Sequence, residues 1–416
     1  MTRGSSPRID RARLEETFAA QARIGATARG GLTRLALSDE DRVIRDRVVA
    51  WLETAGCTVR IDRMGNIFGR RPAAPRGEAR PPVVMGSHVD SVPTGGRFDG
   101  ALGVVCAIEA VRALDDARVR TRHPVEVAVF TNEEGARFQP AMLGSAVLAG
   151  KLSLEDAYQA RDRHGIRLVD ELERIGYLGP EPCVIQPVRA YLELHIEQGP
   201  RLEDAGESVG VVEGIVAISW TRVTLHGDQD HAGPTPMRTR RDALVAAADI
   251  VRAVRRIAVD LGGDLVGTVG WLDVHPNIVN AIPGKVVLTV DLRAPSDGLL
   301  DRAVTALGAA IHEAAAAERV RVESEPLMRV PLTRFDPEVV GAVEAAAKSL
   351  GTRHRRMLSG AGHDAQHMAS FCPTGMVFVP SVAGKSHCEE ETTHFDDVEQ
   401  GANVLLQAAL RLAEPV

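Results

Sequence analysis

Four separate runs of the sequence place histidine and acidic side chains within a few residues of one another. Together they supply seven groups: His88, Asp90, Asp99, Glu133, Glu134, His195 and His387. Imidazole and carboxylate groups are typical ligands of divalent metal ions. This mixture of nitrogen and oxygen donors suits zinc, with manganese, cobalt or nickel as alternatives. The sequence therefore predicts a site for metal-assisted chemistry.

Each run lies at the end of a predicted strand, and this shared position is what makes the set informative. A single histidine is more often a structural residue, and two adjacent glutamates are usually solvated surface. The strands are predicted over residues 82–87, 125–130, 190–196 and 375–380. Because ligands of open α/β sheets bind beyond the carboxyl ends of the strands, we expect the four runs to meet at one edge.

Spacing indicates different roles within the set. His88 and Asp90 are two residues apart, so the carboxylate is expected to hold the far nitrogen of a metal-binding imidazole. Asp99 lies in a glycine-rich turn, where one carboxylate can bridge two ions. Glu133 and Glu134 are adjacent, and the pattern leaves open which of them binds metal and which acts as a base. Different environments would separate those two roles.

The elements that must position these groups alternate between strand and helix through most of the chain. This alternation predicts an α/β sheet with helices on its faces. Two helices, over residues 11–25 and 38–55, are predicted before the first strand. Residues 216–330 have the order β-α-β-β-α-β, which is the ferredoxin-like unit. We therefore expect a discontinuous domain over 1–214 and 331–416 and an inserted domain over 215–330.

Composition argues against several classes of function. The 416 residues carry a net charge of −7 and only 4% aromatic residues, so nucleic acid is not an expected partner. No run approaches about 18 apolar residues, so no membrane span is expected. Five scattered cysteines fit a cytoplasmic location better than a disulfide framework. No G-x-S-x-G motif occurs, and no G-x-G-x-x-G follows a first strand, which disfavours serine-hydrolase and dinucleotide chemistry.

Motifs along nearly the whole chain resemble one enzyme group. They are GSHVDSVPTGGRFDGALGV, TNEEGARF, LHIEQGP, DHAGPTPM with RRDAL, NAIPG with DLR, SGAGHDA and GKSH. In content and order they resemble the hydantoinase/carbamoylase group of metallo-amidohydrolases, within the larger family of di-zinc exopeptidases. The peptidase branch of that family has Asp or Glu where His195 stands. The group commonly has SHNPAE where residues 386–391 of this chain are SHCEEE.

The resemblance implies a mixed-sheet di-zinc exopeptidase-like catalytic domain over 1–214 and 331–416, with a ferredoxin-like lid and dimerisation domain over 215–330. The implied metal ligands are His88 and His195 for one ion, Glu134 and His387 for the other, and Asp99 between them. Glu133 would be the general base, and Asp90 would support His88. The implied substrate contacts are Gln198, His231, Asn280, Arg293 and Gly362. The implied assembly is a homodimer, with His231 serving its own site or its partner's.

The activity that follows from the resemblance is hydrolysis of an N-carbamoyl-L-amino acid or another small ureido acid, such as allantoate or β-ureidopropionate. The products would be the amino compound, carbon dioxide and ammonia. An aminoacylase or metallopeptidase of the same family is an alternative, which His195 disfavours. A binding protein that has lost its metals is a second alternative, although all five implied ligands are present.

Overall fold

Two units make up the fold in the computed structural model, which describes residues 6–74 and 80–416. Unit 1 comprises Met1–Gly214 and Arg334–Val416, and unit 2 comprises Ile215–Thr333. The short strand Thr333–Arg334 belongs to the large sheet. For this reason the chain returns to unit 1 three residues later than the predicted boundary at 330/331.

Helices of the described residues are numbered in chain order. They are α1 Arg11–Gln21, α2 Asp39–Thr54, α3 Ala101–Asp116, α4 Leu143–Leu148, α5 Leu154–Gln159, α6 Leu168–Arg174, α7 Arg201–Ala205, α8 Ala243–Leu261, α9 Asp297–Ala317, α10 Pro337–Leu350, α11 Asp364–Met368 and α12 Phe395–Leu412. Helix α1 ends at Gln21, four residues before the predicted end at residue 25. Across the described residues, none of these helices combines the length and apolar composition needed to cross a membrane.

Strands of the described residues are numbered in the same way. They are β1 Thr58–Ile61, β2 Ile67–Arg71, β3 Val83–His88, β4 Val125–Phe130, β5 Ala190–Ile196, β6 Val209–Ile215, β7 Ala217–His226, β8 Asp230–His231, β9 Val266–His275, β10 Ala281–Ile282, β11 Lys285–Ala294, β12 Arg321–Val330, β13 Thr333–Arg334, β14 His354–Ser359 and β15 Thr374–Val379.

The large sheet of unit 1 has the order β1-β2-β4-β3-β5-β15-β6-β13, and β14 pairs with β6. Its four central strands, β4, β3, β5 and β15, are mutually parallel, so their carboxyl ends share one edge. Every residue of these four strands is buried, as expected for parallel strands covered by helices on both faces. Antiparallel β2 and β6 flank them and make the sheet mixed.

Unit 2 has a four-stranded antiparallel sheet in the order β12-β7-β11-β9. Helices α8 and α9 pack on this sheet and on each other. Asp242 and Ser296 cap the two helices by accepting backbone N–H groups from the first turn. The strand order and the β-α-β-β-α-β sequence are those of the ferredoxin-like unit. The predicted α/β fold class is therefore confirmed.

Candidate metal centre

The carboxyl edge of the four central strands carries the predicted cluster, entirely within unit 1. His88 is the last residue of β3, and His195 is the last but one of β5. Glu133 and Glu134 follow the end of β4 at Phe130. His387 lies in the loop after β15. The shared strand direction thus brings together side chains that are up to 299 residues apart in the sequence.

The first group of possible ligands joins two histidines to one oxygen of Asp99. Asp99 Oδ1 lies 3.1 Å from His195 Nε2 and 3.5 Å from His88 Nε2. The far nitrogens of both rings donate to backbone carbonyls at 3.0 Å, those of Asp90 and Ile196. These bonds place a proton on Nδ1, so each Nε2 is an electron-pair donor near Asp99, and that of His195 also accepts the N–H of Gly100 at 3.2 Å.

The second group uses the other oxygen of Asp99. Asp99 Oδ2 lies 3.4 Å from His387 Nε2, and that nitrogen lies 3.5 Å from Glu134 Oε2. One carboxylate therefore faces both groups, as a bridging ligand would.

Spacing within the two groups is compatible with bound ions. Ligand atoms about 2.1 Å from a tetrahedral ion lie about 3.4 Å from one another. The four ligand separations given above span 3.1 to 3.5 Å. His88 Nε2 is buried and has no hydrogen-bond partner among the residues that the structure describes. A buried nitrogen that has a free electron pair and no hydrogen-bond partner is suited to binding a divalent cation.

Acidic and imidazole groups in the cluster shift one another's pKa values. Burial opposes ionisation of Asp99, but the surrounding imidazoles outweigh it and hold its pKa well below the usual range. Burial likewise opposes protonation of His88, but nearby carboxylates raise its pKa well above the usual value. The hydrogen bond to Asp99 raises the pKa of His387 to about 9. The site thus stabilises positive charge around one carboxylate.

The two adjacent glutamates have different surroundings. Glu134 belongs to the second ligand group, and burial together with the charge of Asp99 raises its pKa to about 8. Glu133 belongs to neither group, and its Oε2 lies 3.5 Å from His88 Nε2. Burial raises the pKa of Glu133 well above the usual range, with Asp364 adding to the effect. A buried carboxyl with a raised pKa beside the ligands is suited to holding and transferring a proton.

Asp90 reaches His88 through a different atom from the one expected. Its backbone carbonyl accepts the imidazole proton, while its carboxylate Oδ1 lies 3.7 Å from the ring. The carboxylate instead accepts the backbone N–H groups of Glu133 at 3.2 Å and Glu134 at 3.3 Å. Asp90 therefore fixes both the ring of His88 and the turn that carries the two glutamates.

Strained backbone occurs at three points of this edge. Asn132, Gln198 and His387 have φ values of +58°, +59° and +55°. Non-glycine residues in this region cost about 1–3 kcal/mol each and persist where the surroundings fix them, often at functional sites. Gly100 lies at the same edge, and a side chain there would clash, since a Cβ would lie 2.3 Å from the ring of His88.

Two of the predicted substrate contacts lie in unit 1. Gln198 donates from Nε2 to Asp99 Oδ2 at 2.8 Å, so in this structure it supports the bridging carboxylate. Gly362 precedes α11, and a Cβ at this position would lie 3.4 Å from the side chains of Gln366 and Met142. Their roles toward substrate remain predictions.

The other three predicted contacts lie in unit 2. The strand of His231 pairs with β10, and the N–H of Ala232 donates to the carbonyl of Asn280 at 2.9 Å, so the DHAG and NAIPG motifs adjoin. His231 and Asn280 are exposed. Arg293 is half-buried on β11 and pairs with Asp291 at 2.8 Å. The unit thus presents polar side chains from two of its strands.

Three buried acids near the cluster have no role assigned from sequence. Glu193 accepts the hydroxyl of Ser87 at 2.7 Å, and its position two residues before His195 on β5 is a signal that could have identified it. Asp364 accepts the hydroxyl of Ser145 at 2.5 Å. The third is Glu391, which the SHCEEE and SHNPAE strings share along with Ser386 and His387. It lies in a run of three glutamates, which is typical of solvated surface.

Known proteins share both the sequence and the fold. Residues 84–411 match the peptidase family M20/M25/M40. An N-carbamoyl-L-amino-acid amidohydrolase of Rhizobium meliloti is 41% identical over 413 residues, covering 99% of each chain. A solved hydantoinase/carbamoylase family amidase from Burkholderia multivorans is 47% identical, with a TM-score of 0.92 over 98% of this chain and 99% of its own. A ureidoglycolate hydrolase of Oryza sativa subsp. japonica is 34% identical, over 99% of this chain and 86% of its own.

These matches confirm the resemblance to the hydantoinase/carbamoylase group. The family match covers most of the chain, and the Rhizobium and Burkholderia proteins align with it almost from end to end. The match also includes the four central strands almost completely, together with the loops that carry the cluster. The chain belongs to peptidase family M20/M25/M40.

Proposed function

We propose that the protein is a metal-dependent amidohydrolase that cleaves N-carbamoyl-L-amino acids to the amino acid, carbon dioxide and ammonia. The observation that carries hydrolysis is the pair of ligand groups sharing Asp99, with Glu133 beside them. The substrate class is supported by the activity for which the Rhizobium relative is named. Zinc is the proposed metal, with manganese, cobalt or nickel as alternatives, because the donors are imidazoles and carboxylates.

Divalent ions in such a pair supply Lewis acidity and make water a stronger acid. The protein's own part in the reaction begins with Glu133, whose carboxylate takes a proton from the attacking water. The same carboxyl then gives that proton to the departing nitrogen, a transfer that its raised pKa favours. Asp90 holds the glutamate turn in place through two backbone hydrogen bonds.

Substrate-binding roles are proposed for five residues. Arg293 is suited to the substrate carboxylate, because its planar guanidinium can donate two parallel hydrogen bonds. His231 and Asn280 are proposed donors to the ureido oxygen, and Gln198 and Gly362 are proposed to line the pocket.

A narrower alternative is a different ureido acid as the natural substrate. The rice relative is named a ureidoglycolate hydrolase and is similar over nearly the whole chain. Allantoate and β-ureidopropionate contain the same ureido group and stay within the proposal.

Release of ammonia from a substrate panel tests the proposal. The metal-free protein is reconstituted separately with Zn²⁺ and Mn²⁺ and assayed with N-carbamoyl-L-amino acids, allantoate, β-ureidopropionate, ureidoglycolate and N-acetyl-amino acids. We expect turnover of a ureido acid that depends on added metal. The matched control is Glu133→Gln, expected to bind the metal normally and lose turnover by about 10²–10⁴-fold. Turnover of the N-acetyl substrates alone would assign the chain to aminoacylase chemistry.

A cytoplasmic homodimer is proposed as the working form. The five cysteines are free thiols, which supports a reducing compartment.

Unit 2 exposes apolar side chains on edge strand β9 and on α8, including Trp271 at 49% and Val259 at 70%. Exposed apolar groups of this kind are typical of an interface. Light scattering of the native protein and of Val259→Glu tests the dimer, with a monomeric native protein as the contrary result.

A further inference from the structure

Glu391 occupies a buried position between two loops that carry proposed ligands. Its carboxylate accepts four hydrogen bonds and is 2% exposed as a residue. Oε1 accepts the backbone N–H groups of Phe98 at 3.1 Å and Asp99 at 3.0 Å. Oε2 accepts the hydroxyl of Ser386 at 2.8 Å and the N–H of His387 at 3.3 Å. One side chain thus joins the Asp99 turn to the His387 loop.

Both joined loops need an external support. His387 has a φ of +55°, a conformation that a non-glycine residue keeps only where its surroundings fix it. Asp99 lies in an irregular turn between β3 and α3. His88 and His195, by contrast, lie on central strands whose ladders already hold them. Glu391 therefore holds the backbone of Asp99, which carries the shared carboxylate, and the backbone of His387, a ligand of the second group.

Gly96 provides the space for this contact. A Cβ at residue 96 would lie 2.0 Å from the carboxyl carbon of Glu391. Its φ lies outside the positive range, so an alanine there would be compatible with the backbone but not with the glutamate. The second glycine of the GGRFDG motif is thus explained by the side chain of Glu391 that it faces.

We propose that Glu391 is a positioning residue that sets the placement of Asp99 relative to His387 and thereby the affinity of the second metal ion, with Gly96 providing its space. The inference rests on the proposed function only in assuming that the two ligand groups bind metal. A carboxylate is required because all four partners are donors, whereas a glutamine would turn an NH₂ group toward two of them.

Direct metal titration of Glu391→Gln, without substrate, tests this role. Metal-free protein is titrated with Zn²⁺ and Mn²⁺ by calorimetry, and ion content is measured after dialysis. Supporting residues of metal ligands typically contribute about 10–100-fold in affinity, so we expect the second ion to bind that much more weakly and the first to be retained. The matched control is Glu390→Gln, an exposed neighbour paired with Arg29, expected to bind both ions normally.

Gly96→Ala provides an independent test, because it displaces Glu391 without changing any charge. We expect it to reproduce the selective weakening of the second ion, and we expect the double variant to add little, since both changes act on one contact. Circular dichroism and thermal unfolding confirm that the variants are folded.

Three results would overturn the proposal: unchanged affinity for the second ion in both variants, equal weakening of both ions, or no metal binding by the native protein. Two ions bound natively without any ureidohydrolase activity would overturn the proposed function and leave this inference standing.

Discussion

The two units have helices packed on a sheet, but they differ in what they bury. Unit 1 buries charged groups at the ends of its parallel strands, among them His88, Asp99 and His195. In unit 2, whose residues 215–333 are all described, Ser219 is the one buried polar side chain. Its core is formed by aliphatic residues and alanine.

This difference shows where burial identifies function. Burying a charge is unfavourable unless it is paired, so a buried cluster of acids and imidazoles indicates a site with a ligand to hold. In unit 2 the predicted functional residues are exposed or half-buried, and burial says nothing of their role. Changes in unit 1 should therefore abolish metal binding and chemistry, and changes in unit 2 should affect stability or substrate affinity.

The largest effect is expected from Asp99→Asn, because both ligand groups share this carboxylate. We expect kcat to fall by more than about 10³-fold, the equivalent of some 4 kcal/mol of transition-state stabilisation. Ion content after dialysis should fall as well. The control is Asp301→Asn on α9, an exposed carboxylate paired with Arg329, which should retain activity and both ions. Full metal content in Asp99→Asn would remove Asp99 as the bridge.

The next largest effect is expected in the core of unit 2. Leu288 is fully buried on β11, and its replacement by alanine should destabilise the unit by about 2–5 kcal/mol through the cavity it leaves. Urea unfolding followed by circular dichroism measures this, and metal affinity should not change. Glu313→Ala, at an exposed site on α9, is the control and should stay within about 0.5 kcal/mol. Loss of metal from Leu288→Ala would contradict the separation drawn between the units.

Arg293→Ala should have a smaller effect, confined to substrate affinity. A lost charge-assisted hydrogen-bond pair is worth about 1.5–3 kcal/mol, so we expect KM for carboxylate substrates to rise about 10–150-fold with little change in kcat. Arg222→Ala, on the neighbouring strand and paired with Glu325, should leave KM unchanged. A substrate whose carboxylate is replaced by an amide should not distinguish Arg293→Ala from the native protein. An unchanged KM for the acid would refute the proposed role.

Sequence predicted the parts of the site that depend on local pattern. His88 and His195 could be placed because apolar runs mark buried strands, and parallel strands share a carboxyl edge. The inserted unit could be predicted because its strands and helices have clear periodicity. Strands β6 and β14 were not predicted, since β6 contains two glycines and β14 begins with a histidine and two arginines.

The rest of the site depends on which loops meet, and local pattern does not contain that information. Glu391 touches Asp99 across 292 residues, and Gln198 touches it across 99. The carboxylate of Asp90 reaches a turn 43 residues away. Residue type indicates that such groups can accept hydrogen bonds, but only the folded loops determine the partner.

A last prediction concerns the pH dependence of metal binding, which depends on the buried charges of unit 1. In the metal-free protein, burial and Asp99 raise the pKa of Glu134 from 4.5 to about 8, and the bond to Asp99 raises that of His387 from 6.5 to about 9. Both ligands therefore carry protons at neutral pH and must release them to bind metal. Each released proton makes the apparent affinity about tenfold weaker per pH unit below the pKa.

The contribution of these two ligands to the stability of the metal-free protein should fall as pH rises, whereas the affinity of the protein for metal should increase. Because both pKa values are raised on folding, Glu134 and His387 hold more protons in the folded metal-free protein than in the unfolded chain between pH 4.5 and 9, and their contribution to stability falls as pH rises through that window. Added metal should therefore raise Tm by an increment that grows from pH 6.5 to 9. His387→Gln removes one of the two protons and should reduce the slope of log affinity against pH by up to one. A flat increment across this range would mean that the ligands are already deprotonated, and the cluster would then not stabilise positive charge as its geometry indicates.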